Sequence, residues 1–482
     1  MIVFFVFSVF IIISCVILFG FIMPYLKAAK HKRLTALLAL ADSSLSSRRC
    51  ITAKKNLTEI MQELFTSSGE PIFPDLVVRC LFDFGRYWNL CGQDNSSAAN
   101  QAISNFEKCL DYFEKLKDDE KTPELSSLKH ECEYRLGLLY LNQAEEMPSA
   151  RKAKQLALAE KFLLLAIGNV EDLSKSAHSG AVVKPQVISA RIRYALAKTY
   201  HMLSWNGKDS RELHLAKCVE NASGAIHDCF SRDDFPSEWE QMVKLRTEAC
   251  IDLCGYEGGH SYIDKCINFQ NEYLGYLKSD GRLSEAFTGY LRLGDFHMKA
   301  VNPTVATGEI QTEGNKYDQI IRDFFGDESA ESSTGEVVNL QHHIEAAHNA
   351  YVAALELGKA AILPKYVISG AYRKKAKTFI EMYKARPDEN YLTDALQATQ
   401  QWLDYCDSPN EKTEVMLIQG RLFILSGTAK ADMKDKQALF TNARRAYQKA
   451  EEECSHNNDL DGKRYVEEML RKVAFLMLQT AS

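Results

Sequence analysis

Apolar residues recur along this chain every three or four positions, in windows of about 15–22 residues. Leu81, Phe84 and Trp88 mark one such stripe; Phe106, Cys109, Leu110 and Phe113 mark the next. That spacing gives an α-helix one apolar face. Between the windows stand helix-ending and helix-starting signals: Pro71 and Pro74, Asp94-Asn95-Ser96, Thr122-Pro123, Pro185, Pro236, Gly258-Gly259, Pro364, Pro387-Asp388 and Asn457-Asn458. The pattern predicts an all-α chain with about sixteen helices between residues 34 and 480, joined by short connections into antiparallel pairs. It argues against a strand-rich fold.

Two stretches depart from this pattern. Met1 to Met23 carries no charge and is dominated by Ile, Val, Phe and Leu. About 20 apolar residues cross a bilayer core, so residues 1–24 are expected to form a single transmembrane helix. Lys27, Lys30, Lys32 and Arg33 follow at once. A basic juxtamembrane segment at 25–33 marks the cytoplasmic side. The expected localisation is therefore a single-pass membrane protein whose C-terminal body faces the cytoplasm. The second departure is residues 302–338, which hold eight acids against two bases. This segment is expected to be an acidic flexible loop, although Tyr317–Phe325 could form an amphipathic turn or two inside it. Helical repeats are expected on either side, at 34–301 and 339–480.

Within the predicted pairs two spacings recur. First helices carry a bulky apolar residue, then a small one, then an aromatic three further on: Phe84-Gly85-x-x-Trp88, Leu136-Gly137-x-x-Tyr140, Leu196-Ala197-x-x-Tyr200 and, with changes, Leu293-Gly294-x-x-His297 and Gln419-Gly420-x-x-Phe423. Second helices carry a small residue, an aromatic or Leu four later, and a small one three later. Ala102/Phe106/Cys109, Ala159/Leu163/Ala166, Ala347/Tyr351/Ala354 and Ala443/Tyr447/Ala450 follow it. Small residues let two helix backbones approach while the large side chain fills the groove beside them. A single pair cannot bury its apolar face, so pairs must stack.

In these residues the chain resembles the tetratricopeptide repeat family, whose first helix carries Trp, Leu-Gly and Tyr and whose second carries Ala, Phe and Ala. The resemblance covers about half the chain, between residues 75 and 455, and is clearest at Ala443–Ala450 and Tyr290–Gly294. The departure is one of length. The family repeats every 34 residues or so, whereas Gly85 to Gly137 is 52 residues and Gly137 to Ala197 is 60. The resemblance implies a divergent α/α superhelical solenoid of about eight helix pairs with a concave surface that binds a protein segment. One subclass grips the carboxylate of chaperone tails with a Lys and an Asn flanking the small position. Here those places hold Phe82 and Arg86, Tyr134 and Leu138, Leu291 and Asp295, Arg373 and Lys377, so that partner is not implied.

The expected function is a membrane-anchored scaffold or adaptor that holds partner proteins, with no catalytic centre and no cofactor. Charged first-helix positions near the recurring motif are the candidate partner-binding residues: Arg86, Arg135, Arg193, Asp295 and Arg373. Four arginines favour an acidic partner segment, or the chain's own acidic loop folded back as a cover. A formal net charge of -6 over 482 residues argues against a general nucleic-acid binder. Thirteen scattered cysteines point to a reducing compartment. The alternative function is a helical metal-dependent hydrolase using Cys250, Cys254, His260 and Cys266, four zinc-ligand types in one short stretch. Their spacing is not that of paired zinc knuckles, and burial on helix faces explains the cysteines better. His342, His343 and His348 also fail the metalloprotease spacing. His343 and His348 stand about 140° apart on a helix. No phosphate-binding glycine loop and no small-molecule substrate site is evident.

Overall fold

The computed structural model describes residues 2–91, 96–170, 184–205, 210–228, 234–254, 262–301, 316–325 and 337–481; for residues 2–21, 91, 96, 149–150, 228, 337–339 and 481 only the backbone is described. Among these there are eighteen α-helices, and the β-structure is one isolated bridge between Phe65 and Pro71. Two compact units divide between Ala249 and Cys250.

In the first unit α1 (Ile2–Ser46) pairs with α2 (Cys50–Glu63), and α3 (Pro74–Cys91) with α4 (Ser96–Lys115). Likewise α5 (Pro123–Glu146) pairs with α6 (Ser149–Ile167), and α7 (Pro185–Ser204) with α8 (Arg211–Asp228). The division falls within α9 (Pro236–Leu253). First helices touch in succession: α1 with α3, α3 with α5, α5 with α7. Their ends are set by local chemistry. Thr122 accepts from the Leu125 amide and Pro123 opens α5, which is how a capping hydroxyl and an N1 proline start a helix.

The second unit holds α10 (Ile263–Ser279), α11 (Leu283–Val301), α12 (Lys316–Phe325), α13 (Val337–Ala360) and α14 (Lys365–Ala385). It continues with α15 (Glu389–Tyr405), α16 (Pro409–Ala429), α17 (Met433–His456) and α18 (Leu460–Ala481). The pairs are α11 with α13, α14 with α15, and α16 with α17. The first pair therefore closes across residues 302–336, with α12 inserted between its halves.

The predicted small-to-large contacts form the seams of these pairs. A Cβ placed on Gly85 would lie 2.5 Å from the Phe106 ring, one on Gly137 2.7 Å from Leu163 Cγ, and one on Gly420 2.5 Å from the Tyr447 ring. Gly294 stands in the same relation to Tyr351. The flanking Ala102, Ala159, Ala166, Ala347, Ala354, Ala443 and Ala450 are fully buried. Among the described residues each unit is thus built of α-helix pairs with the seam chemistry of tetratricopeptide-like repeats.

The N-terminal expectation is corrected. Among the described residues no helix is long and apolar enough to cross a membrane, so the single-pass membrane localisation does not stand. The side chains of residues 1–21, most of the expected span, lie outside the described residues. Beyond the basic cluster, Leu34, Leu38, Ala41 and Leu45 bury one face of α1 in the repeats. The basic residues are tied into the fold as well. Arg33 pairs with Glu63, His31 with Asp75 at 3.1 Å, and Lys27 lies 5.7 Å from the Phe73 ring centroid.

The seam gives a prediction with opposite signs at two glycines. Gly137→Leu should destabilise the protein by about 1–3 kcal/mol, because the new side chain meets Leu163. Gly275, inside α10, has nothing within 4 Å of the Cβ position. Gly275→Ala should therefore stabilise by roughly 0.5–1 kcal/mol through helix propensity alone. Thermal or denaturant melts of both variants check the pair; equal melting temperatures would contradict the seam.

Candidate functional site

Four residues of α12 form one stripe: Tyr317, Ile320, Ile321 and Phe324, at i, i+3, i+4 and i+7. A helix of ten residues does not hold itself in water. This one is held by first helices α14, α16 and α18, all of which it touches. Tyr317 and Phe324 are 1 % exposed, while Gln319, Arg322 and Asp323 face outward.

Each end of the stripe has an aromatic seat. Phe324 stacks on Trp402, with ring centroids 6.0 Å apart and planes 11° from parallel. The Arg373 guanidinium lies 5.4 Å from the Phe324 ring centroid, within cation–π range. Tyr317 stacks on Tyr465 at 6.2 Å, and its hydroxyl donates to Asp459, which also accepts from the Gly462 amide at 2.9 Å. Between the rings, Ile320 and Ile321 pack against two buried clusters at once, one centred on Tyr372, Trp402 and Leu422, the other on Leu417, Tyr447 and Val466.

Charge completes the seat. Lys384 Nζ donates to the Phe324 carbonyl at 3.4 Å, placing a cation at the C-terminal end of α12, where the helix dipole is negative. Arg373 Nε donates to Glu414 at 2.8 Å. Burial pushes the Glu414 carboxyl above the usual carboxylate range, and Asp323 of α12 adds to that, against the pull of Arg373. Burial lowers the Lys377 ammonium, with Glu381 and Asp323 opposing. At the other end burial would raise Asp459, but the Tyr317 hydroxyl, the Gly462 amide and Lys316 hold it below the usual range. The arrangement grips a helix by two rings, one hydroxyl and one terminal carbonyl.

Of the five charged residues expected to meet a partner, Arg373 is the one at this seat. Arg86 is buried between α1 and α3, paired with Asp42 and with Asp83 at 3.0 Å, its guanidinium 5.8 Å from the Phe82 ring centroid. It is a tie between first helices. Arg135 holds Glu131, one turn away, at 2.6 Å and lies 5.9 Å from the Phe82 ring centroid. Arg193 lies against Gly224 of α8, in its own pair's seam; a Cβ there would be 2.9 Å from Nη1. Asp295 accepts from the Tyr351 hydroxyl at 2.8 Å and pairs with Lys374, joining α11 to α13 and α14.

The sequence marked 302–338 as an acidic flexible loop that could hold an amphipathic turn or two at Tyr317–Phe325, and α12 forms there as a helix of ten residues. The strict i, i+3, i+4, i+7 apolar stripe between acids was its signal. The remainder of the loop, 302–315 and 326–336, lies outside the described residues, as does His260. Cys250, Cys254 and Cys266 are buried, with Cys254 Sγ 3.3 Å from Cys266 Sγ and Cys250 donating to the Tyr262 carbonyl. Among the described residues no group of three His, Cys, Asp or Glu side chains gathers to hold a metal. His343 and His348 diverge as their spacing implies. His348 packs on Phe379 and bonds Thr378, whereas His343 Nδ1 meets His297 Nδ1 at 3.0 Å. That contact joins α11 to α13.

No protein-family model matches the chain, and no curated protein does. Solved structures similar to it include a Rap protein complexed with competence and sporulation factor, at TM-score 0.27 and 11 % identity over 93 % of this chain and 99 % of that one. The apo quorum sensor NprR from B. thuringiensis gives TM-score 0.23 and 14 % identity over 92 % and 99 %. A signal-transduction ATPase with a tetratricopeptide repeat sensor from Pyrococcus horikoshii gives 0.28 and 10 % identity over 93 % of this chain and 64 % of that one. Scores this low carry no argument, and the architecture rests on the chain's own seams.

The histidine contact predicts a pH dependence. Burial, then His343 and His342, lowers His297 to about 4, with Asp264 opposing. A histidine lowered on folding binds fewer protons folded than unfolded, so stability falls as pH drops from about 6.5 towards 4. Wild-type protein should melt at a lower temperature at pH 5 than at pH 7, and His297→Gln should shrink that difference. An unchanged difference would exclude this pair as the cause.

Proposed function

We propose that the chain is a non-catalytic protein-interaction scaffold that captures helical segments of partner proteins on the first-helix face of its second unit. One observation carries this reading: α14, α16 and α18 already hold a ten-residue amphipathic helix, α12, along one apolar stripe. Arg373 and Lys384 supply positive charge beside that helix, so acidic segments are favoured. The attraction should weaken as salt rises.

The test is a library of helical peptides selected on the full-length chain. Binding of the selected peptides should fall at least about tenfold in Arg373→Glu/Lys384→Glu, a loss expected when charge-assisted contacts are reversed. Lys449→Glu, on the exposed side of second helix α17, should leave it unchanged. If no peptide is enriched, or if Lys449→Glu costs as much as the double variant, the first-helix face is not the binding surface.

A further inference from the structure

We propose that α12 is a tethered occupant of its seat, and that the natural ligand is an amphipathic helix of a partner protein that replaces it. This rests on the scaffold reading above and adds the partner's chemistry. The ligand helix carries an aromatic residue, aliphatic residues three and four positions later, and a second aromatic seven positions after the first. An acid precedes that second ring, as Asp323 precedes Phe324.

Three features separate α12 from the framework it lies on. The pair it interrupts is complete without it: Gly294 and Tyr351 form the seam between α11 and α13, the Tyr351 hydroxyl bonds Asp295, and Gly358 approaches the Phe287 ring. The helices of the seat likewise pack on one another, α14 on α15, α15 on α16, α16 on α17 and α17 on α18, and Phe324 and Tyr317 enter the apolar clusters these helices bury. Finally, the stretches joining α12 to its neighbours, 302–315 and 326–336, contain six acids and no Lys or Arg.

The hold itself specifies what could compete. Two stacked rings set the separation of the ligand's aromatics, because Trp402 and Tyr465 accept Phe324 and Tyr317 two helical turns apart. Asp459 selects a hydroxyl on the first ring. Lys384 reads a free carbonyl at the helix C-terminus, which any incoming helix ending at that point supplies. A tethered occupant competes at an effective concentration near the millimolar range, so removing it should raise the affinity for an outside helix without altering the seat.

The probe is a labelled peptide of residues 313–329, with a control carrying Tyr317→Ala and Phe324→Ala. Its binding is compared between the wild-type chain and a chain lacking residues 305–335. The shortened chain should bind the peptide at least tenfold more tightly than wild type, and the control should bind neither. Should the shortened chain fail to fold, the in-place variant Tyr317→Ala/Phe324→Ala makes the same comparison. Equal affinity for wild type and the α12-free chain overturns the proposal, as does failure of a folded α12-free chain to bind. Concentration-dependent wild-type dimers that the peptide dissolves would put a second copy's α12 in the seat, and would overturn a foreign partner. Selected library peptides that bind through Arg373 and Lys384 but ignore the α12 deletion would sink this proposal alone and leave the scaffold reading intact.

Discussion

The close approach of a small residue on one helix to a large side chain on its partner sets the geometry of both units. At Gly85, Gly137, Gly294 and Gly420 the glycine hydrogen stands where a Cβ would collide with Phe106, Leu163, Tyr351 or Tyr447. That contact fixes how near the two axes come and which faces remain for the next pair. Because packed interiors tolerate little extra volume, each seam admits one arrangement, and in the first unit α1, α3, α5 and α7 are left to meet one another in succession. The seat of α12 lies where α14, α16 and α18 each reach it.

Charge has been used mostly to join helices. Arg86 is buried with Asp42 and Asp83, which ties α1 to α3. An arginine in that position needs its carboxylates, since leaving a buried charge unpaired costs about 3–5 kcal/mol. Tyr140 donates to Glu107 at 2.5 Å and Tyr200 to Glu160 at 3.0 Å, each joining a first helix to the preceding second helix. The tyrosine of the recurring motif thus works between pairs, whereas the glycine works within one.

These distances in sequence also decide what could be read from the residues alone. The seams were legible because each lies within a pair and repeats, so Leu136-Gly137 and Ala159/Leu163/Ala166 advertise one another. The roles of the charged residues were not. Arg86 and Arg135 look like surface groups until Asp42 and Phe82 are known to stand beside them, and those neighbours come from other helices. The candidate site was half legible: the stripe from Tyr317 to Phe324 is plain, but its partners are remote. Trp402 lies on α15, and Asp459 is 142 residues beyond Tyr317. No local pattern states that a short amphipathic run amid acidic residues has a place to dock.

That separation has a consequence for the order in which the molecule is made. The chain leaves the ribosome from its N-terminus at about 5–20 residues per second, and domains fold as they emerge. Tyr317 is synthesised 142 residues ahead of Asp459, so roughly 7–30 s pass before the second half of its seat exists. During that interval the pair α11–α13 can close, because enlarging its loop from a few residues to the stretch 302–336 adds only about 2 kcal/mol of closure entropy. The inserted segment therefore waits, tethered at both ends and undocked, while α14 to α18 are completed. On a nascent chain the rings of Tyr317 and Phe324 are presented before anything in the same polypeptide can cover them.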